Sequence, residues 1–529
     1  MLLITLVIGA FAVDECAHWV LSNDYVGMAY AAMLCAAAAI MVGILNNWRN
    51  GTYFFLIWLL FEDFARKFLG NNMAIYFAKD FLLLIVYLSF YVDCRRHKVR
   101  LFRFPFRGPM LLFIWLGLMQ IFNPASPTVF YGLMGFKIFF YYVPLLFVGY
   151  ALFDSELGLR RFFKINLTLA GVIIALGVVQ SIAGPSFLNP GHQAEDLREL
   201  STLYRVAPDS GLVAYRPTSV FVSAGRYSDF ILIAWLLALG FTGYLLLRQK
   251  KGRILTFLLV GLTAVGAFLT ASRGTFMWTM INGVATSIAF VWGAPWREGK
   301  DVLRVFRAIQ RAVLATALGI VVAFVTYPQE LLSRLAVYRE TLSGIHSELG
   351  WRGWDYPLQN FLAAFDGDRW GVGSGIGTTS LGSQYVARFF HVTTPVRGVE
   401  SGFGALVVEM GIGGLILWIV MGAAILFAAF NVLKKLRGSP LFPLGFVIFW
   451  YSFFLLFPVT FGGIQAYEDF LLNAYFWLML GILFRLPTLK LAASAAADNP
   501  QNTQTARRAG FTSLRPRPAV ISASDSTPA

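Results

Sequence analysis

The chain has 529 residues, 57% of them hydrophobic and only 13% charged, with 50 Phe and 14 Trp. Soluble domains carry roughly 25% charged residues, so this composition excludes a soluble globular protein and predicts a multi-span membrane protein. The net charge of +15 needs no nucleic-acid partner to explain it, and three scattered cysteines (Cys16, Cys35, Cys94) suggest neither a disulfide framework nor a zinc site.

In chain order, apolar segments run over 1–13, 26–45, 52–61, 73–92, 110–122, 129–153, 166–183, 228–247, 254–270, 274–294, 311–327, 402–430, 441–461 and 468–485. A helix of ~20 residues spans a bilayer, and the runs are too long for barrel strands. The N-terminal MLLITLVIGAFAV has no basic residues ahead of it and no small-residue cleavage site after it. It reads as a short first span rather than a signal peptide. The short segments 1–13, 52–61 and 110–122 leave room for tilted or re-entrant pieces. The expected fold class is therefore an all-α polytopic integral membrane bundle of about 12–14 transmembrane helices with two long external loops.

Loop charges orient the bundle. With the N-terminus inside, the inside loops 46–51, 93–109, 154–165, 248–253, 295–311, 431–440 and 485–529 hold 28 Lys and Arg. The outside segments hold 13, and Lys79 and Lys137 fall within spans. Cytoplasmic loops are the basic ones, so the charge is mainly a topology signal. Residues 1–490 are expected to form the membrane domain, with external loops at about 184–227 and 328–401. The tail 491–529, rich in Ala, Ser, Thr, Pro and Arg, is expected to be disordered in the cytoplasm.

Twelve of the thirteen external cations are Arg. Arg offers a planar fork of donors that grips phosphate and stays charged when dehydrated. Simple snorkelling at an interface explains the shortage of Lys less well. Near the N-terminus, FEDFARKFLGNNMAIYFAKD (61–80) puts Glu62, Asp63, Arg66 and Lys67 at an external helix end, with Glu62 and Arg66 spaced as an i,i+4 ion pair, and Lys79 and Asp80 inside the next span. These charges read as mainly structural. The first external loop closes with VAYRPTSVFVSAGRYSDF (213–230), which carries Arg216 and Arg226 ahead of a span. Arg273 sits in the turn LTASRGTFM (269–277).

The second external loop contains ELGWRGWDYPLQNFLAAFDGDRWGVGSGIGTTS (348–380). Its glycine run 371–377 lacks the strand–turn–helix context and Lys of a P-loop and reads as a flexible turn rather than a phosphate nest. Asp366 and Asp368 read as loop-capping rather than metal-binding. Trp351, Trp354, Tyr356 and Trp370 suit sugar faces as well as interface anchoring. Glu400 precedes a helix beginning near Ser401, either as a residue favoured by the helix dipole or as a general base. Glu409, nine residues on, faces the opposite side of a regular helix and needs a partner or a water-filled cavity within the membrane.

The turn TASRGTF, the long external loop and the run ESGFGALVVEMGIGG (400–414) together resemble the O-antigen ligase and O-antigen polymerase (Wzy-like) superfamily. The ligases carry a His and a small polar residue, then nine residues, then Gly-x-x-Gly. Here Glu400-Ser401 is followed by nine residues and Gly411-Ile412-Gly413-Gly414, with Glu400 in the place of the His. FEDFARKF and GLMGFKIFFYYVPLLF (132–147) look like the exopolysaccharide-polymerase branch, and Arg339 with Gly350 matches an Arg-x10-Gly spacing noted in such polymerases. The resemblance implies a cofactor-free, metal-independent bacterial inner-membrane glycosyltransferase. It would transfer glycan from undecaprenyl diphosphate on the periplasmic face, and its partners would be that lipid-linked glycan, the bilayer and other polysaccharide assembly proteins. Arg216 and Arg273 would hold the diphosphate and Glu400 would activate the acceptor. Arg226, Arg339, Arg352, Trp351 and Trp354 complete the expected substrate contacts. Polymerase is the leading expectation, with ligase-type transfer or lipid-linked glycan transport as alternatives.

Overall fold

The computed structural model describes residues 25–191, 203–248, 252–295, 327–343, 351–380, 399–463 and 467–489, apart from positions 71, 100 and 208, together with a few isolated positions. The expected span at 1–13, most of that at 311–327, and the tail from 490 lie outside the described residues. The chain first forms α1 (Tyr25–Asn46), α2 (Trp48–Leu69), α3 (Met73–Arg96), α4 (Arg107–Ile121), α5 (Val129–Phe140), α6 (Leu145–Ala151) and α7 (Glu156–Ala183). A two-stranded antiparallel hairpin follows, β1 (Tyr204–Val206) and β2 (Val213–Tyr215). Then come α8 (Ala224–Arg248), α9 (Arg253–Leu269), α10 (Arg273–Gly293), α11 (Pro328–Ser343), α12 (Tyr356–Ala363), α13 (Gly402–Leu436), α14 (Phe442–Phe454) and α15 (Phe470–Arg485).

Among the described residues, eight helical segments are long and apolar enough to cross a membrane, and three shorter apolar helices accompany them. The protein is a multi-pass helical membrane protein. The segment 52–61, expected to be short, is the middle of the 22-residue α2, which continues through the charged FEDFARK sequence. Its charges are buried in ion pairs or, for Lys67, in hydrogen bonds, and so do not end the helix. The expected span 129–153 is interrupted by a turn at residues 141–144, ending in Pro144, which has no N–H to continue a helix. The hairpin lies in a loop for which no strand was expected.

α15 is the axis of the bundle. Every side chain from Phe470 to Phe484 is buried, as befits a helix apolar on all sides. It crosses α6 at backbone contact: a Cβ on Gly149 would lie 2.2 Å from the Leu478 carbonyl oxygen, and one on Gly481 2.2 Å from that of Leu146. Small residues at a crossing let two helices approach this closely.

The loops sort to two ends. Arg49 and Arg485 both pair with Asp154, at 2.8 and 3.1 Å, Arg248 pairs with Glu156 at 2.7 Å, and the Gly438 N–H donates to the Gly293 carbonyl. Segments predicted to share one side of the membrane thus meet at one end of the bundle. The hairpin, the start of α8 and the α9–α10 turn lie at the other, called here the hairpin end.

The longest helix, α13, is broken at Gly411, where φ is +71°. The break leaves carbonyls without helical donors, and the glycine-rich run 371–377 fills the gap. The Ser374 N–H donates to the Val408 carbonyl (2.7 Å), that of Gly375 to Glu409 (3.0 Å), and that of Ile412 to Trp370 (2.8 Å). The buried Glu409 carboxylate accepts from the Thr379 N–H and hydroxyl, at 3.0 and 2.7 Å. The loop's own carbonyls are met by Gln120, which donates to Val372, and by Asn123, which donates to Gly373. This segment is therefore a docked element and not the flexible turn expected from its glycines. Gly373 has φ +80°, and a Cβ there would lie 2.5 Å from the Glu409 carbonyl oxygen. Gly373→Ala is expected to destabilise the protein by about 1–3 kcal/mol, seen as a lower melting temperature in detergent. Gly43→Ala, where a Cβ meets nothing within 4 Å, should leave it unchanged.

Candidate functional site

At the hairpin end, three pieces of chain converge on α11. Ala207 and Ala214 of the hairpin, Ala271 of the α9–α10 turn and Val337 of α11 form a small buried apolar cluster. Arg334 lies at its side with no exposed surface. Its Nε donates to the Leu269 carbonyl at 3.1 Å and its Nη2 to that of Tyr215 at 3.0 Å. One guanidinium thereby ties the end of α9, ahead of Arg273, to the end of β2, beside Arg216. The Tyr338 hydroxyl adds a bond to the Phe268 carbonyl at 2.7 Å, and its ring stacks on Phe276 at 4.6 Å.

Four arginines share this neighbourhood. Burial, reinforced by the positive charge of Arg205, lowers the Arg216 pKa to about 10, so Arg216 stays cationic at neutral pH while sitting in a field of like sign. Glu340 lies next to the group. Its carboxylate is held below the usual range by the Ser210 hydroxyl, by the Asp209 and Ser210 N–H groups (2.8 and 3.3 Å) and by nearby Arg273. The structure places Arg216 beside Arg205 and Arg273 beside Glu340, at the same end of the bundle. It adds Arg205 and Arg334, which were counted among the external cations but given no role. Arg334 had a legible signal: it shares a helical face with Leu331, Val337 and Tyr338, all buried, and an arginine at a core position needs polar partners.

The backbone bearing the two expected arginines is strained and over-determined. Ser219, three residues past Arg216, has φ +51°, and Ala271, two before Arg273, has φ +48°. Such conformations cost about 1–3 kcal/mol and persist only when their surroundings enforce them. At Ser219 the enforcement is explicit. The Gln180 side-chain oxygen accepts from the Thr218 and Ser219 N–H groups at 2.8 and 2.6 Å. The Ser219 hydroxyl donates to the Ile173 carbonyl at 2.6 Å. Lys67 donates to the Thr218 hydroxyl and the Ser219 carbonyl at 2.9 and 2.8 Å.

Lys67 belongs to a second group, a buried ionic network. Asp63 accepts both of its Arg226 contacts at 2.9 Å and one from Arg66 at 3.2 Å. Lys79 pairs with Glu62 at 3.1 Å, Lys137 pairs with Asp80, and Arg226 reaches Asp469 at 3.5 Å. The expected Glu62–Arg66 pair is thus replaced: Arg66 takes Asp63 and Glu62 takes Lys79. Arg226 lies in this network, with its guanidinium 4.6 Å above the Phe470 ring, rather than in the Arg216–Arg273 group.

Glu400 is exposed and accepts from the Tyr356 hydroxyl at 2.6 Å. Ser401 caps α13 and donates to the Phe461 carbonyl at 2.9 Å. Trp354 packs on Phe461 at 5.6 Å and Trp351 on Tyr356 at 6.3 Å, and both tryptophans remain open, 62% and 41% exposed. Glu400, Trp351 and Trp354 thus belong to an aromatic group built by α12 and its preceding turn. Arg339 is exposed on α11, while Gly350 and the Arg352 side chain lie outside the described residues, as do 381–385 and 388–398 of the same loop. Asp366 and Asp368 are exposed on the turn after α12.

No protein-family model matches the chain, and no curated protein is similar to it at a significant level. The chemistry of the site therefore rests on its geometry. Arg216, partly dehydrated and set in the field of Arg205, with Arg273 on the nearby α9–α10 turn, is suited to an oxyanion with more than one charge. Inorganic pyrophosphate at millimolar concentration is expected to raise the melting temperature of the detergent-solubilised protein by about 1–3 °C through binding linkage. The shift should vanish in Arg216→Gln and persist in Arg49→Gln, at the opposite end.

Proposed function

We propose that the protein is a bacterial inner-membrane polysaccharide polymerase, which transfers a glycan from undecaprenyl diphosphate to a growing lipid-linked saccharide on the periplasmic face. The observation that carries this reading is that Arg205, Arg216, Arg273 and Arg334 all lie at one end of the bundle, with strained backbone next to Arg216 and Arg273. The excess of basic residues in loops at the opposite end supports a periplasmic position for the arginines. The resemblance of TASRGTF and ESGFGALVVEMGIGG to the ligase and polymerase superfamily supports the reaction class.

In this reaction the acceptor hydroxyl attacks the anomeric carbon of the donor sugar. A new glycosidic C–O bond forms as the bond to the diphosphate oxygen breaks, and undecaprenyl diphosphate departs with the electron pair. Negative charge on the departing diphosphate grows towards the transition state. Guanidinium groups fixed in advance stabilise that charge without reorganising at the moment of reaction. The acceptor proton passes to a carboxylate, a role worth about 10²–10⁴-fold. Glu400 is the proposed base, with its exposed carboxylate beside Tyr356, and the open faces of Trp351 and Trp354 would receive sugar rings.

Transport of a lipid-linked glycan is the second reading, and one observation favours it: α13 is broken and a loop is docked into the break, a feature of transporter helices that line substrate paths. Incubating purified protein with lipid-linked repeat units separates the readings on a gel. A ladder of products is expected. A single shifted acceptor would mean ligase-type transfer, and no product would favour transport. Arg273→Lys keeps the charge and loses the fork. It is expected to lower turnover by about 10-fold or more with normal expression, and wild-type turnover in that variant would remove the diphosphate clamp.

A further inference from the structure

The hairpin has two faces. Strand pairing sets Tyr204 opposite Tyr215, Arg205 opposite Ala214 and Val206 opposite Val213, and alternate residues share a face. Arg205 and Ala214 form the inner side, where Ala214 is fully buried against the cluster with Ala271 and Val337. The outer side carries Tyr204, Val206 and Val213, which are 54%, 55% and 54% exposed, together with Tyr215, which is buried. A two-stranded ribbon with so much open apolar surface is poorly suited to water.

Its setting says what covers it. The hairpin sits on Ala271, in the turn between two apolar helices, so it lies at the level where α9 and α10 leave the membrane. Those helices present open apolar flanks of their own: Leu255 and Leu258 on α9, and Met280, Val284 and Ile288 on α10, are each more than half exposed. These residues lie along the helices away from the turn and mark the side of α9 and α10 that faces lipid. The ribbon's strand edges carry backbone polar groups that hydrocarbon does not satisfy, which fixes the depth at the headgroup–acyl boundary, where Tyr is also favoured.

We propose that the outer face of the hairpin, Tyr204, Val206 and Val213, is seated in the boundary layer of the leaflet at its end of the bundle, so that a lipid-borne phosphate reaches the inward Arg205 and its neighbour Arg216 laterally from the membrane. The seating stands on the hairpin alone, whereas the lateral route rests on the glycosyltransferase reading. The polar tip at Asp209 and Ser210, held by Glu340, marks the side of the ribbon that stays in water.

The test uses the full-length chain with its three cysteines replaced and a single cysteine placed at Val206, Val213 or Asp209. Each is labelled with bimane and reconstituted in nanodiscs of phosphatidylethanolamine and phosphatidylglycerol. Nitroxide-labelled phosphatidylcholine, with the nitroxide near the top of the acyl chain, quenches from the lipid side, and iodide quenches from water. Labels at 206 and 213 are expected to lose about half of their emission or more to the nitroxide lipid and to be shielded from iodide, with the reverse at 209. Quenching by iodide alone at 206 and 213 overturns the proposal in favour of a face in water. Shielding from both quenchers overturns it in favour of a protein partner or a second copy. Two positions are probed so that misfolding at one leaves the other to decide. The readout needs no turnover, so a failed seating leaves the ladder assay to judge the glycosyltransferase reading. Seating without a ladder would keep the membrane contact and remove its cargo.

Discussion

The site at the hairpin end depends on one buried guanidinium. Arg334 donates to the carbonyl of Leu269 and to that of Tyr215, and so joins a helix end to a strand end that are distant in sequence. Both carbonyls would otherwise lack donors near a membrane surface, where an unsatisfied polar group costs free energy. The two segments that lead to Arg216 and Arg273 are thereby anchored on one residue. The positive φ values at Ser219 and Ala271 are the local cost of that arrangement. The bonds from Gln180 and Lys67 show how part of that cost is met, by groups with no contact to a ligand.

The ionic network below the site follows the same constraint. Glu62, Asp63, Lys79 and Arg226 are carried on apolar helices where no water shell is at hand, and each finds an oppositely charged partner. Removing one member of such a pair leaves a buried charge and is strongly destabilising. Because Lys67 reaches from this network to Thr218 and Ser219, and Val222 donates to Asp63, the network is also the footing of the segment that bears Arg216. Structure and site are coupled here through a few hydrogen bonds rather than through general packing.

Much of this was legible in the sequence, and the limits have physical causes. Apolar runs of bilayer length revealed the helical class, and the alternation of basic loops matched the two ends of the bundle. Arg216 and Arg273 stood out because both sit just ahead of a span. The break in α13 was not legible, because a glycine run and a Gly-x-x-Gly sequence each read locally as a turn. Only the packing shows that Ser374 and Gly375 supply donors to the carbonyls near Gly411. The Glu62–Arg66 spacing suggested a local pair, but helix neighbours at i,i+4 contribute only ~0.2–0.5 kcal/mol, and Lys79 on the next helix competes successfully for Glu62. Glu400 was grouped with the arginines because of its place in the chain. Its bond to Tyr356, 44 residues earlier, was not legible in that order.

The central claim is that Arg216 and Arg273 jointly hold a lipid diphosphate. The most direct measurement is a cryo-electron microscopy map of the protein in nanodiscs with a non-transferable undecaprenyl diphosphate analogue. The account predicts phosphate density in contact with both guanidinium groups, with the lipid chain leaving towards the bilayer beside the hairpin. Phosphate density at the opposite end of the bundle, or a headgroup that touches neither arginine, would contradict it.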